Sequence, residues 1–128
     1  YKRQEKMPPQ LLILDDFKIS NEITAGLLKE MGYTAYTCQR SEEALNLIKS
    51  IKIDIIITDY LMPEMNGLEF LKKVRELEEY QSVPVIFLSS VSNPEIIESA
   101  ENFGITAWLK KPVDIHQLAE VINKLITK

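Results

Sequence analysis

Apolar runs alternate with stretches of helical periodicity along the chain. "LLILDD" (Leu11 to Asp16) is a short apolar run that ends in two acids. It is followed by Ile19, Ile23, Leu27 and Met31, spaced four apart on one helical face, which predicts an amphipathic helix stopped by Gly32 at the C′ position. "YTAYTC" (Tyr33 to Cys38) is rich in strand formers. Ser41 is placed to cap a second helix, with Glu42 and Glu43 in the first turn, where the helix dipole favours acids, and Ala44, Leu45 and Ile48 on its inner face. "IDIIITD" (Ile53 to Asp59) predicts the third strand. Asn66 with Glu69 three residues on is a capping box for a helix carrying Leu68, Leu71 and Val74. "VPVIFLSS" (Val83 to Ser90) predicts the fourth strand, and Asn93 with Pro94 opens a helix that Gly104 ends. "TAWLKKP" predicts a fifth strand, stopped by Pro112. Asp114, with Gln117 three residues on, opens a last helix that buries Ile115, Leu118, Ile122 and Leu125.

Strand and helix thus alternate about five times. Strands separated by helices form a parallel sheet covered on both faces, and its central strands are apolar throughout, as Ile55 to Ile57 and Val85 to Leu88 are. Right-handed crossovers make this a doubly wound α/β sandwich. A length of 128 residues suits one domain, and 45% hydrophobic with 27% charged residues is an ordinary globular balance. The net charge of -4 argues against nucleic acid binding through bulk charge. No apolar run approaches the ~20 residues of a membrane span. The single cysteine, Cys38, excludes an internal disulfide and fits a reducing compartment such as the cytoplasm. The polar start, "YKRQEKMPPQ" (residues 1–10), reads as a linker or expression remnant, with Met7 a candidate native start and the domain proper running over 11–128.

In doubly wound sheets the ligand site lies outside the carboxyl ends of the strands. The residues predicted there are Asp15 and Asp16, Asp59, Ser89 and Ser90, and Lys111. Singly, each has an ordinary explanation as a cap, a turn former or a solvated lysine. Their coincidence at successive strand ends points to chemistry. Three converging carboxylates repel one another and call for a hard divalent cation; magnesium, which takes one or two carboxylates and keeps several waters, suits them. A metal, an ammonium and hydroxyl or N–H donors together can hold a phosphoryl group, and a carboxylate can itself accept one as an acyl phosphate. Glycine-rich nucleotide loops are absent, and with one cysteine and only His116 a zinc site is disfavoured.

These motifs, "LLILDD", "IIITDYLMPEMNG", "VIFLSS" and "WLKKP", in this order and spacing, resemble the receiver (phosphoacceptor) domain of two-component response regulators over nearly the whole chain. The resemblance implies a flavodoxin-like three-layer sandwich with strand order 2-1-3-4-5. It implies that Asp59 accepts a phosphoryl group from a phosphohistidine of a histidine kinase or histidine phosphotransfer protein. Asp16 would bind Mg²⁺ directly and Asp15 mainly through a metal-bound water, with Asp59 and the backbone carbonyl of Leu61 completing the protein ligands. Lys111 would pair with the acceptor carboxylate and then with the phosphoryl oxygens, and the Lys111–Pro112 bond is expected to be cis. Ser89 would be the switch hydroxyl, with Ser90 beside it, and Trp108 the switch aromatic that swings from a wet outward position to an inward one. Three positions depart from the common pattern: Ser89 stands where threonine is usual, Ser90 where alanine is usual, and Trp108 where tyrosine or phenylalanine is usual. The implied function is a switch that catalyses its own phosphorylation, loses the group slowly, and changes its surface around the last strand and its flanking helices, where a homodimer or an effector would bind. Two alternatives fit less well. An aspartyl phosphohydrolase of the haloacid dehalogenase type has an acid two residues after the nucleophile, where this chain has Leu61. Receiver-like modules that are never phosphorylated usually lack an acid or the lysine.

Overall fold

Parallel pairing of five short strands builds the centre of the molecule. The computed structural model describes residues 8–126. In chain order the elements are β1 (Gln10–Leu14), α1 (Lys18–Glu30), β2 (Thr34–Cys38), α2 (Ser41–Ser50), β3 (Ile55–Asp59), α3 (Gly67–Glu76), β4 (Val85–Ser89), α4 (Pro94–Asn102), β5 (Ala107–Lys110) and α5 (Ile115–Ile126). The sheet order is β2-β1-β3-β4-β5, every pair parallel. The doubly wound five-stranded sandwich predicted from the alternation of elements is therefore the observed fold. Of the linker expected over residues 1–10, residues 1–7 lie outside the described residues. Gln10 is already the first residue of β1, its N–H donating to Asp54 Oδ2 at 2.7 Å. No helix among the described residues is long and apolar enough to cross a membrane.

The period-two alternation of strand side chains divides the core in two. Leu12, Leu14, Ile56, Val85 and Phe87 pack with Ala44, Ile48, Phe70, Leu71, Val74 and Ala100, beneath α2, α3 and α4. Leu11, Ile13, Ile55, Ile57, Ile86 and Leu88 pack with Ala25, Leu28, Leu118 and Ile122, beneath α1 and α5. Both faces of β3 and β4 are covered, so all five residues of each are buried. Each fully buried isoleucine of β3 contributes roughly 1.5–3 kcal/mol relative to exposure. That investment holds Asp59, the last residue of β3, in a fixed place.

Local signals set most helix starts. Asn66 Oδ1 accepts from the Glu69 N–H at 2.9 Å while Glu69 Oε1 accepts from the Asn66 N–H at 2.9 Å, a complete capping box for α3. Asn93 Oδ1 accepts from Glu95 and Ile96 N–H groups ahead of Pro94 in the first turn of α4. Asp114 Oδ1 accepts from the His116 and Gln117 N–H groups ahead of α5. Two expectations fail. Ser41 does not cap α2: it is the first helical residue and fully buried, its hydroxyl 3.8 Å from the Met62 sulfur, and Arg40 occupies the cap position without a side-chain capping bond to the helix. The apolar stripe of α1 does not face the sheet. Ile19, Ile23, Leu27 and Met31 are exposed, while Asn21, Thr24, Ala25 and Leu28 are buried. Small Ala25 and Thr24 let α1 lie close to the sheet, and the Asn21 carboxamide satisfies sheet-end carbonyls. The larger side chains are turned outward.

The turn after β3 depends on one glycine. The Gly67 N–H donates to the Tyr60 carbonyl at 2.6 Å, and a Cβ placed on Gly67 would lie 2.9 Å from Tyr60 Cα and 3.0 Å from the Asp59 carbonyl oxygen. Both neighbours are backbone and cannot step aside. Gly67→Ala is therefore expected to cost about 1–3 kcal/mol as overpacking. A urea unfolding curve checks this; an unchanged midpoint would show that the turn yields freely.

Candidate phosphoacceptor site

Register places the acids side by side. Leu14 of β1 pairs with Thr58 of β3, so Asp15 leaves its strand beside Asp59. Asp59 in turn pairs with Leu88 of β4, so Ser89 lies one residue beyond it, and Ser89 pairs with Lys110, next to Lys111. The strand ends thus bring Asp15, Asp16, Asp59 and Lys111 together. One carboxylate oxygen from each of the three acids lies within 4.8 Å of the others. Asp15 and Asp59 are buried and Asp16 is half-buried. Lys111 Nζ bridges two of them, 3.0 Å from Asp59 Oδ2 and 3.2 Å from Asp15 Oδ2. The Lys111–Pro112 peptide bond is cis.

The second oxygens of Asp59 and Asp15 are held from the backbone. Asp59 Oδ1 accepts from the Leu61 N–H at 3.2 Å. Asp15 Oδ1 accepts from the Phe17 N–H at 3.0 Å, and the Ser20 hydroxyl lies 3.4 Å from Asp15 Oδ2. Burial pushes the Asp59 pKa above the ordinary carboxylate value, and the contact with Lys111 opposes only part of that. Burial by itself depresses the lysine, but the bonds and charges of Asp59 and Asp15 outweigh it and leave the Lys111 pKa raised. With three carboxylates facing one ammonium, the site holds an excess of negative charge in a partly desolvated place. The donor set is all oxygen, gathered at one mouth, and fits a hard cation such as Mg²⁺.

The other expected site residues fall into two groups. Ser90 is exposed at the end of β4, and Leu61 is half exposed in the loop after β3. Ser89 is fully buried, its Oγ accepting from the Val91 N–H at 3.0 Å. Trp108 is half-buried. Its ring lies edge-on to Phe87 with centroids 5.4 Å apart and tilted on Tyr60 at 5.6 Å, and its Nε1–H donates to the Val91 carbonyl at 3.0 Å.

Sequence reasoning missed two supporting residues. Asn21, buried in α1, donates from Nδ2 to the carbonyls of Asp15 and Cys38, at 3.2 and 2.8 Å, and so ties the β1 exit to the β2 exit. The signal was present: a polar residue seven positions before Leu28 lies on Leu28's face of the helix, not on the stripe of isoleucines. Val91 holds both Ser89 and Trp108 through its backbone.

The sequence and the fold are similar to those of known proteins. A family profile described as the response regulator receiver domain matches residues 11–123. The chain is 32% identical over 120 residues to the two-component response regulator ORR11 of Oryza sativa subsp. indica, covering 93% of this chain and 82% of that protein. It is 29% identical to the chemotaxis protein CheY-3 of Vibrio cholerae, covering 93% of this chain and 92% of that protein. Among solved structures, the chemotaxis protein CheY4 of Vibrio cholerae superimposes with a TM-score of 0.88 at 30% identity, covering 92% of this chain and 98% of that one. The signal receiver domain of a histidine kinase from Syntrophus aciditrophicus superimposes with a TM-score of 0.84 at 27% identity, covering 93% and 90%. The family profile covers most of the chain, the sheet order agrees with its solved relatives, and the chain belongs to the response regulator receiver domains.

Proposed function

We propose that this domain is a phosphorylation-driven switch in which Asp59 accepts a phosphoryl group from a phosphohistidine. The observation that carries the reading is the Asp59 carboxylate, held by a wholly buried strand, bridged by Lys111 to Asp15 and gathered with Asp16 at one mouth. An oxygen of Asp59 attacks phosphorus. The new O–P bond forms as the P–N bond to the imidazole breaks, and the leaving nitrogen keeps the electron pair and takes up a proton. Partial desolvation makes the carboxylate a better nucleophile once ionised, and Lys111 moves from balancing two carboxylates to balancing the phosphoryl oxygens. Asp16, Asp59, the Leu61 carbonyl and, through water, Asp15 would hold Mg²⁺, which supplies positive charge against the developing phosphoryl charge. Ser89 donates its hydroxyl hydrogen to a phosphoryl oxygen. The added charge of about -2 shifts a population between two states of the surface around β5, α4 and α5, where a homodimer or an effector binds.

The donor is a protein, a histidine kinase or histidine phosphotransfer protein, and α1 supports where it docks. Phe17, Ile19, Ile23 and Leu27 line an apolar groove with Val113 and Ile115 on its other side. Asp15, Asp59 and Lys111 line the same groove. An apolar surface that shares its groove with the acceptor carboxylate is placed to seat whatever carries the phosphohistidine.

Incubation with phosphoramidate and Mg²⁺, followed by intact mass measurement, tests the reading. The wild-type chain is expected to gain one phosphoryl group, Asp59→Asn none, and the wild type in EDTA almost none. Labelling of Asp59→Asn at the wild-type level would overturn the assignment.

A further inference from the structure

Asp15 is held on both sides by one closed set of contacts. Its N–H donates to the Cys38 carbonyl at 3.1 Å. The Asn21 carboxamide donates from Nδ2 to that same Cys38 carbonyl at 2.8 Å and to the Asp15 carbonyl at 3.2 Å. Both Nδ2 hydrogens are thereby spent, and both backbone polar groups of Asp15 are engaged. The Asp15 carbonyl belongs to the peptide unit that joins Asp15 to Asp16. That unit is planar, so holding its oxygen sets the direction in which the chain enters Asp16. One carboxamide therefore bears on two of the three clustered acids.

Asn21 lies in the first turn of α1 and is 2% exposed, and its own N–H is anchored on the Phe17 carbonyl at 3.0 Å. Its Oδ1 is the one buried side-chain polar atom among the described residues without a hydrogen-bond partner. A buried oxygen left in that way is a standing cost. Packing of α1 on the sheet does not call for it, since Ala25 and Leu28 meet the sheet from the same helix with apolar side chains. What the carboxamide adds to theirs is a pair of donors, aimed at the exits of β1 and β2.

The cations differ in how much they need such a clamp. Mg²⁺ demands near-ideal octahedral geometry with short bonds and binds poorly where the ligands cannot be brought to it. Ca²⁺ accepts longer bonds and irregular geometry. Carboxylates held to one arrangement favour the first ion, and carboxylates free to spread favour the second.

We propose that Asn21 is a positioning residue that sets the cation preference of the acidic cluster: by clamping Asp15, and through the shared peptide Asp16, between the exits of β1 and β2, it favours Mg²⁺ over Ca²⁺. The inference rests on Asp15, Asp16 and Asp59 being the metal ligands.

Asn21→Ala tests it, because it removes both donors and leaves room for water at the carbonyls. The full chain is titrated by calorimetry with magnesium chloride and, separately, calcium chloride, beside a urea unfolding curve that shows the variant to be folded. Loss of one net hydrogen bond from the clamp predicts Mg²⁺ binding weaker by roughly fivefold. Ca²⁺ binding is expected to change by less than about twofold. A role in stability alone predicts a lower urea midpoint with both cations weakened equally or neither weakened, and either result overturns the proposal. A wild-type measurement serves if the variant does not fold. Linkage is reciprocal, so saturating Mg²⁺ is expected to slow solvent exchange of the Asn21 carboxamide hydrogens, followed by NMR, by a similar roughly fivefold factor, and Ca²⁺ to slow it far less. Exchange unchanged by Mg²⁺, or slowed equally by both ions, overturns the proposal while leaving the metal site standing. A wild-type chain that binds neither cation would bring down the metal site itself, and the proposal with it.

Discussion

Lys111→Met is expected to tighten Mg²⁺ binding and cripple phosphorylation at once. The lysine ammonium sits 3.0 Å from Asp59 and 3.2 Å from Asp15, the same carboxylates that would hold the cation. Two positive charges competing for one acidic cluster repel each other by several kcal/mol at close range, even with the effective dielectric of a protein surface. Removing the ammonium lifts that repulsion, so Mg²⁺ affinity should rise by about tenfold after allowance for solvent screening. Methionine keeps a comparable apolar stem, so packing beside Pro112 is largely retained. The transition state loses a charge placed to meet the phosphoryl oxygens, and loss of one such donor costs about a hundredfold in rate. Calorimetric Mg²⁺ titration at mildly alkaline pH, paired with phosphoramidate labelling rates, reads both effects. Weaker Mg²⁺ binding in the variant would show that Lys111 supports the acidic cluster without competing with the cation.

Ile23→Glu separates protein donors from small ones. Ile23 is 58% exposed on α1, so a glutamate there unfolds nothing, and it lines the groove that Asp59 also lines. Burying a side chain of this size against a partner is worth roughly 1.5–3 kcal/mol, which corresponds to about a ten- to hundredfold slower transfer when a charge replaces it. Transfer from a phosphohistidine-bearing phosphotransfer domain that labels the wild-type chain is therefore expected to fall by that much. Labelling by phosphoramidate, which needs no docking surface, should stay at the wild-type rate. Equal transfer from the protein donor would place docking elsewhere on the molecule.

The parts of the fold that were legible in the sequence are those where one local rule decides. Ile55 to Ile57 running into Asp59 could only be a doubly covered strand delivering an acid to a sheet edge. Asn66 with Glu69, and Asn93 with Pro94, are caps whose donors and acceptors lie within a few residues, and they form as read. What was not legible depends on contacts across the chain. The stripe from Ile19 to Met31 has helical spacing, but spacing cannot say which face meets the sheet. The small volumes of Thr24 and Ala25 and the two carbonyls awaiting Asn21 decide it, and those carbonyls belong to other segments. Ser41 has the chemistry of a cap, yet burial of the first turn draws it into the helix. At the site, Asp15, Asp16, Asp59 and Lys111 were found because each ends or follows a strand. Val91 escaped notice because it acts through its backbone, which its residue type does not reveal.

The most direct test traps the acyl phosphate itself. Reduction of an aspartyl phosphate by borohydride converts that aspartate to homoserine, and peptide mapping then names the residue. After phosphoramidate and Mg²⁺ treatment of the full chain, homoserine is expected at position 59, with Asp15 and Asp16 intact. Homoserine at 15 or 16, or a phosphorylated chain in which position 59 remains aspartate, would contradict the account.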